Sequence, residues 1–579
     1  MLEVVGIVLD EPLLAGWRAR VERARRHLGW DAPPLAIPVP SEIVARPHAS
    51  GTSLAIAAPF DQLFTATEVN EWALCAGLLE RDPSHWSGLP AALLAAARDE
   101  ATDPDQVIPP MLEERAALAR FERLAAAELR MDIRELVDAA ESRGVRHVLD
   151  EEILTLGAGA GGLSWPLGAL PSVEQVPWGS LCEIPVAVVT GSNGKTTTVR
   201  LIAACARAHG WADGFSCTDG VFIGDALVEA GDYSGPAGTR RVLRDPRVEA
   251  AVLETARGGI LRRGLAVDHA IAAVVTNVSS DHFGEYGIHD LGGLADAKLT
   301  VAQLIARDGL LVLNADDEWL RAKAAGLEVR LGMRPPIGWF ALDFDHAVLV
   351  SHRADGGSTC GVRSGRMLLS LAGAEHDLGV VAEMPLTVGG HAGYNMANIA
   401  GAALAAAALG IAPATVAAVF AKFGSDPDDN AGRLMRFDVN GVHVLLDYAH
   451  NPQGLQGVLR VARSMCADGA RLAMLLGHAG NRRDEDLDDV AAAAAAFAPD
   501  LIVIKETEKH LRGRAPGEVP AILRAALLRH GMTESALVLQ SNEVDAARHA
   551  LAWARPGDVV ALLVHAVAAR TAVLELLHS

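Results

Sequence analysis

The stretch VAVVTGSNGKTTTVRLIAACARAHG, residues 186–210, places an apolar strand-like run directly before a glycine, a lysine and three threonines. It then continues as an amphipathic helix. A strand that ends in Gly191-Ser192-Asn193-Gly194-Lys195-Thr196-Thr197 offers backbone N–H groups and a helix N-terminus to phosphate oxygens. Lys195 would reach the β and γ phosphates of a nucleoside triphosphate, and the Thr196 hydroxyl would coordinate Mg²⁺. The usual spacing of such loops would put a glycine at Val189, so TGSNGKTT is a shortened variant. The bland alternative is a glycine-rich turn with a solvated lysine; the strand before and the helix after outweigh it. The loop alone does not separate a kinase, a GTPase and a ligase.

Outward from the loop, apolar strands alternate with helical stretches from Ile184 onward: VAVVT, AAVLET, AIAAVVTNV and GLLVLNA. This is the βαβ rhythm of a parallel sheet covered by helices. A break follows at Arg330 to Phe344. The next segments (VLVSHR, GVRSGRMLLSL, VVAEMPLTV) alternate with turn signals and read as a small antiparallel insertion, about 335–388. A last α/β unit, 431–579, carries the strands VHVLLDYA, LAMLLG, LIVIKE and DVVALLVHA. Residues 171–430 form the central unit and 1–170 a separate α+β domain plus linker. In that first part, Pro-rich turns at Pro33 to Pro40 and Pro104 to Pro110 punctuate short apolar runs. Glu113 to Gly144 reads as helix, and Leu156 to Gly179, rich in Gly and Pro, as linker. AAAAAAFA, Ala491 to Ala498, is a plain helix.

Half of the 579 residues are hydrophobic, ample for several cores, and the length suggests three or four domains at about 150 residues each. A net charge of -21 argues against nucleic acid as a partner, since phosphate backbones need a basic face. The six cysteines are scattered without a CxxC pair, so neither a disulfide framework nor a zinc site is expected. The start, MLEVVGIVLDEP, lacks the basic region of a signal peptide, and a cytoplasmic location is expected. Ile399 to Ala421 is uncharged over a membrane-like length, but Ala dominates it and Gly410 and Pro413 interrupt it. Two buried helices are expected there, and no membrane span.

Further residues separate the enzyme classes. Glu254 closes the run AAVLE just before TARGG, and a carboxylate at a strand's carboxyl end beside the loop is where a magnesium ligand belongs. TNVSSDHFGEYG follows another strand and carries Asp281-His282, with Lys298 beyond it. A histidine beside a hard-cation site argues for a second metal position.

TGSNGKTTT, LETARGG, TNVSSDH, the downstream lysine, LNADD and DYAHNP together resemble, in this order, the motifs of the Mur-type ATP-dependent amide ligases. CTDG at Cys217 to Gly220, LETARGGILRRGLA, PLTVGGHAGYNMAN, NAGRLMRF, and GHAGNRRDEDL followed by LRGRAPGE resemble most closely the Mur-like half of the cyanophycin synthetases. The resemblance runs from about Val176 to the C-terminus. It implies a three-part α/β architecture: a central phosphate-loop parallel sheet, a C-terminal Rossmann-like domain and a separate N-terminal α+β domain.

The resemblance also implies roles. Gly191, Ser192, Asn193, Gly194, Lys195, Thr196 and Thr197 cradle the ATP phosphates. Thr196 and Glu254 hold one magnesium, and His282 holds a second that bridges the γ-phosphate and the acceptor carboxylate. Lys298 matches a lysine that several members carbamylate. Asn395 lies near the nucleotide base, Arg433 reaches the phosphates from the last domain, and Asp447 holds the ribose. His450, Asn451, Arg482, Arg483 and Asp484 face the cleft. The implied chemistry activates a carboxylate as an acyl phosphate, which an amine then attacks, with ATP and Mg²⁺ as the requirements and Lys195, Glu254, His282 and Lys298 as catalytic groups.

The cyanophycin synthetases carry an ATP-grasp module ahead of their Mur-like half. PFDQLFTATEVNEWA, Pro59 to Ala73, resembles part of their N-terminal domain, and RGVRHVLDEEILTLGAG, Arg143 to Gly159, resembles the opening of that module, cut short. One ATP site is therefore expected, with a separate ATP-grasp ligase as a partner that supplies the backbone. The implied reaction joins arginine to aspartyl side chains of an acidic peptide or polymer. Arg257, Arg262, Arg263, Arg482, Arg483, Arg512 and Arg514 are candidates to grip such a chain. The alternatives are a ligase for a small soluble acid, as folylpolyglutamate synthetase is, and a non-catalytic polymer-binding subunit. The intact set Lys195, Thr196, Glu254, His282 and Lys298 argues against the latter. No membrane partner is expected, and a homo-oligomer is left open.

Overall fold

The computed structural model describes residues 2–5, 8–30, 43–48, 51–81, 113–280, 288–480, 482–507 and 511–578. The chain divides into two compact units, one drawn mainly from residues before Glu183 and the other mainly from Glu183 onward. The Pro-rich turns expected around Pro33 to Pro40 and Pro104 to Pro110 lie outside the described residues.

In the first unit, β1 (Leu2–Val5) and β2 (Ile43–His48) flank β3 (Gly51–Ile56), all antiparallel. Asp10 starts the helix Glu11–His27 by accepting a hydrogen bond from the Leu13 amide, with Pro12 in the first turn where its missing N–H costs nothing. That helix buries Trp17 against the helix Leu63–Arg81, and the Trp17 indole N–H donates to Asn70 Oδ1 at 2.9 Å. The segment expected as one helix from Glu113 to Gly144 is two, Glu114–Glu128 and Met131–Glu141. Asp61 takes the Arg130 amide at the break, which a continuous helix would have used internally. The Gly- and Pro-rich stretch read as linker is structured at its start. β4 (His147–Leu149), β5 (Ile153–Leu156) and β6 (Leu163–Pro166) make an antiparallel sheet over a core that includes Ile133, Leu136, Leu154 and Val176. Strands of three or four residues leave little period-two pattern to read beside the glycines.

The second unit is built on two sheets. In the larger one, β8 (Asp213–Cys217), β11 (Ala250–Glu254), β7 (Val186–Thr190), β12 (Ala270–Val275), β13 (Ile305–Asn314), β14 (Ile337–Asp343) and β15 (Thr359–Arg363) run parallel in that order. β9 (Gly220–Ile223) and β10 (Ala226–Ala230) add an antiparallel edge beyond β8. β7 is buried on both faces, which is why it reads as a continuous apolar run without alternation. The helices Lys195–His209 and Gly393–Ala408 belong to one core with it, around Val189, Ile202, Val274, Val312, Phe340 and Ala402. The region expected as a separate insertion, about 335–388, instead extends this sheet. β14 and β15 continue the parallel order, and only β16 (Arg366–Leu371) and β17 (Ala374–Val380) form its antiparallel far edge. VLVSHR, expected as strand, lies in the helix Ala347–Ala354 that crosses between β14 and β15. A parallel pair needs such a crossover, and that requirement overrides β-branched propensity.

The second sheet has β18 (Met435–Val439) antiparallel at its edge, then β19 (Val442–Asp447), β23 (Val559–Leu563), β20 (Leu472–Leu476), β21 (Leu501–Lys505) and β22 (Leu537–Gln540), all parallel. The chain progresses outward from β19 through β20, β21 and β22 and then returns to place β23 between β19 and β20, so a crevice opens at the carboxyl ends of these strands. The uncharged segment from Ile399 is two helices, Gly393–Ala408 and Pro413–Phe420, and no described helix is long and apolar enough to cross a membrane.

Candidate functional site

The carboxyl end of β7 turns through Gly191 to Gly194 into the helix Lys195–His209. Two glycines are obligatory here. Gly191 sits at φ +151° and Gly194 at φ +82°, and a Cβ would lie 1.8 Å from Thr276 Oγ1 at the first and 2.1 Å from Asn398 Oδ1 at the second. The loop is braced from β12's end. Asn193 N donates to Asn277 Oδ1 at 3.0 Å, while Thr276 Oγ1 and Asn277 Nδ2 donate to the Asn193 carbonyl at 2.6 and 3.1 Å. No side chain caps the helix, so its first-turn N–H groups remain available to an anion at the positive end of the dipole. Lys195 Nζ lies back on the loop, donating to the Ser192 carbonyl at 3.1 Å.

Glu254 ends β11, fully buried. It accepts from Thr196 Oγ1 at 2.8 Å and from Thr218 Oγ1 at 2.9 Å. A hydroxyl and a carboxylate are hard oxygen donors of the kind Mg²⁺ takes beside phosphate oxygens and water, so the residues fit that ion. Among the described residues no group of three or more His, Cys, Asp or Glu forms a metal cluster. Asp281 and His282 lie outside the described residues. Lys298 is buried at the end of the helix Leu291–Lys298.

Ser192 to Thr197, Thr218 and Glu254 line a cavity of about 360 Å³. Asn395, Arg433, Asp447, Tyr448 and His450 line it too, so both sheets contribute. Asn395 is buried with its amide engaged, Nδ2 to the Leu386 carbonyl and Oδ1 to Asn398. Asp447 ends β19 and receives the Leu434 and Ala449 amides, each at 2.7 Å; burial pushes its carboxyl above the ordinary value. Arg433 lies 4.5 Å over the Tyr448 ring. Burial would lower its pKa, but Asp219, Asp447 and Glu254 raise it. Across the cavity Asn193 receives Asn451 Nδ2 at 2.8 Å and donates to Gln453 at 2.9 Å, tying the loop to the helix Pro452–Met465. A smaller pocket is lined by Ser280, His450, Asn451, His478, Arg482 and Asp486.

The structure also sorts the arginines. Arg483 pairs with Asp486, and Arg514 with Asp484 and Glu518. Arg257 is buried, Arg482 lines the smaller pocket, and Arg262, Arg263 and Arg512 are exposed. The motifs alone assign no role to Thr218, Thr276, Asn277 or Tyr394, although each lies within one. Tyr394's buried hydroxyl lines the cavity with no hydrogen-bond partner among the described residues. Arg570 carries no motif signal at all, yet it reaches Asp219 at 2.7 Å from the final helix.

Residues 189–334 match the family described as Mur ligase middle domain, and 432–563 that described as Mur ligase, glutamate ligase domain. The cyanophycin synthetase of Trichormus variabilis is 37% identical over 341 residues, 59% of this chain and 37% of that protein. The chain thus spans well under half the length of that relative. A UDP-N-acetylmuramoyl-L-alanyl-D-glutamate--2,6-diaminopimelate ligase of Xanthomonas campestris pv. campestris is 30% identical over 384 residues, 64% of this chain and 70% of that protein. Among solved structures, E. coli FolC in complex with DHPP and ADP aligns with a TM-score of 0.49 at 16% identity, over 68% of this chain and 88% of that one.

Proposed function

Because the chain belongs to the Mur ligase family, we propose that it is an ATP-dependent, ADP-forming amide ligase whose reaction takes place in the cavity shared by the two sheets. The observation that carries this is the meeting, in one 360 Å³ space, of an uncapped helix N-terminus, the Thr196–Glu254 pair, and Arg433 and Asp447 from the second sheet. An acceptor carboxylate oxygen bonds to the γ-phosphorus, the bond to the β-phosphate oxygen breaks, and ADP leaves. The amine then bonds to the acyl carbon, loses a proton, and phosphate departs with its oxygen.

Bringing a carboxylate to a triphosphate is a repulsion problem. The first-turn N–H groups, Lys195 and Arg433 oppose it with fixed positive charge that needs no reorganisation. Mg²⁺, held by Thr196 and Glu254 when bound, would supply charge neutralisation and a template for the phosphate oxygens. Asn451 and Gln453 tie the second sheet's side of the cavity to Asn193, and closure there on the substrates would keep water from an acyl phosphate. His282 as a second metal ligand and Lys298 as a catalytic lysine belong to the same proposal.

For substrates, we propose arginine as the amine and aspartyl side chains of a cyanophycin-like acidic peptide as the acceptor. The likeness to cyanophycin synthetases supports this. Arg257, Arg262, Arg263, Arg482, Arg483, Arg512 and Arg514 remain the candidates to meet the acidic chain. The test is ADP release, screening the standard amino acids against poly-aspartate, poly-glutamate and single amino-acid acceptors. Release only with poly-aspartate and arginine together is expected, weakening as salt rises. Release with a single small acid and no peptide would replace this reading with the small-acid one.

A further inference from the structure

Asp219 lies in the turn between β8 and β9, and its side chain is 11% exposed. Three guanidinium groups converge on it. Arg200 Nη2 donates at 3.1 Å, Arg570 Nη2 donates at 2.7 Å, and Arg433 Nη2 stands 3.6 Å away. They come from remote segments: Arg200 from the phosphate-loop helix, Arg433 from the approach to β18, and Arg570 from the final helix Val567–His578. Burial would raise the Asp219 carboxyl, but the three arginines override it and hold it below its ordinary value. Arg200 Nη1 also donates to the Ala431 carbonyl at 2.9 Å, so the same side chain grips the backbone that leads into the second sheet.

Two further observations show that the cluster is built for a tight fit and leaves one buried donor unused. Gly432 has φ +75°, and a Cβ there would stand 1.8 Å from Arg570 Nη1, so any larger residue would push Arg570 off Asp219. Arg570 Nη1 itself is buried without a hydrogen-bond partner among the described residues. Asp219 is the carboxylate within ion-pair distance of all three guanidinium groups, while Asp447 and Glu254 also act on Arg433. Arg433 belongs both to this cluster and to the cavity that holds Lys195 and Glu254.

We propose that Asp219 is a positioning residue that latches the second sheet to the phosphate-loop helix and sets Arg433 at the nucleotide, so that ATP binding and the latch strengthen each other. The proposal rests on the reading of the cavity as the ATP site. A triphosphate adds negative charge beside Arg433, and the latch holds the cation that the triphosphate needs; coupling of this kind is reciprocal.

The test uses the full chain, Mg²⁺ and a non-hydrolysable ATP analogue in a titration calorimeter, with thermal melts alongside. Asp219→Asn should weaken analogue binding about tenfold or more, and Asp219→Glu should recover part of it. In an Arg433→Ala background Asp219→Asn should cost little more, since Asp219 acts through Arg433; independent roles would add. Gly432→Ala keeps every charge and should weaken binding in the same direction, which covers the case in which Asp219→Asn does not fold. Binding within about twofold of wild type in Asp219→Asn, or in Gly432→Ala where the former is unfolded, overturns the latch. Absence of binding by the wild-type chain would instead remove the ATP-site reading, and the latch with it.

Discussion

At the carboxyl end of β7 the polar groups are backbone N–H donors, the hydroxyls of Ser192, Thr196 and Thr197, the Asn193 amide and one lysine, all within a few positions of each other in the chain. The carboxyl ends of β19, β20, β21 and β23 carry instead Asp447, His450, His478, Lys505 and His565, long titratable groups from segments spread over more than a hundred residues. The first end receives an anion with dipoles that the helix already aligns; the second holds formal charges that must be paired inside the protein. Lys505 is fully buried and its ammonium donates to Glu543, which also takes the His565 and Ala566 amides at 2.9 Å. The difference teaches that two sheets of one architecture can divide their tasks, one end reserved for chemistry and the other committed to its own stability as well as to the cavity. Changes at the first should therefore cost activity and spare the fold, and changes at the second should cost the fold.

The sharpest test of that division is at the phosphate loop. Lys195→Ala and Glu254→Gln should each lower ATP-dependent ADP release by about 10⁴-fold, roughly 5 kcal/mol of transition-state stabilisation. Melting temperatures should stay close to wild type, because Lys195 Nζ makes one bond to a loop carbonyl and glutamine keeps the shape of Glu254. Turnover near wild type in either variant would remove the assigned roles; a collapse in melting temperature would instead break the division between the two ends.

What is legible in the sequence follows the same line. Gly191 to Thr197 can be read because a strand, a turn and a helix start are local to one another. Glu254 alone could equally be a surface residue at a strand end; it becomes readable as a metal-ligand candidate only because the apolar strand it closes ends beside such a loop. The central strands β7, β11, β12 and β13 of the larger sheet and β19, β20, β21 and β23 of the second are legible as apolar runs, whereas edge strands such as β10 and β22 are not. The edge formed by β14 to β17 reads as an insertion and is not one, because whether a strand joins a sheet is decided by its neighbours and not by its own residues. Thr218 and Asp219 sit in the CTDG motif without a legible role, since nothing local says which partner a buried carboxylate will meet. Arg570 is invisible in the sequence, 351 positions away from Asp219.

A smaller effect is expected from the buried pair in the second sheet. Lys505→Met leaves Glu543 charged and without its cation, and should cost about 3–5 kcal/mol of stability in urea unfolding. Replacing both, as Lys505→Met with Glu543→Gln, should return much of that loss, since no uncompensated charge is then buried. A double variant as unstable as the single one would mean that Glu543 acts mainly through the His565 and Ala566 amides, and the pair would lose its place in the comparison.

The smallest effect is one of pH, and it separates the two ends cleanly. Burial, then the nearby charges of Lys505 and His450, push the His565 pKa well below its ordinary value, and its hydrogen bond to the Ala449 carbonyl opposes this without reversing it. The unfolded chain would take up a proton at this histidine below about pH 6.5, whereas the folded chain does not until its lowered pKa is reached. In that window the unfolded state binds more protons, so stability must fall as the pH falls, by up to about 1.4 kcal/mol per unit, and level off below the folded pKa. His565→Gln, whose amide can still donate to Ala449, lacks the proton site. Urea unfolding at pH 7.5, 6.5 and 5.5 should therefore show the wild type losing stability relative to His565→Gln as the pH drops. Two parallel curves would show that His565 titrates alike in both states, and that this end of the sheet is not shaped by buried charge as the comparison requires.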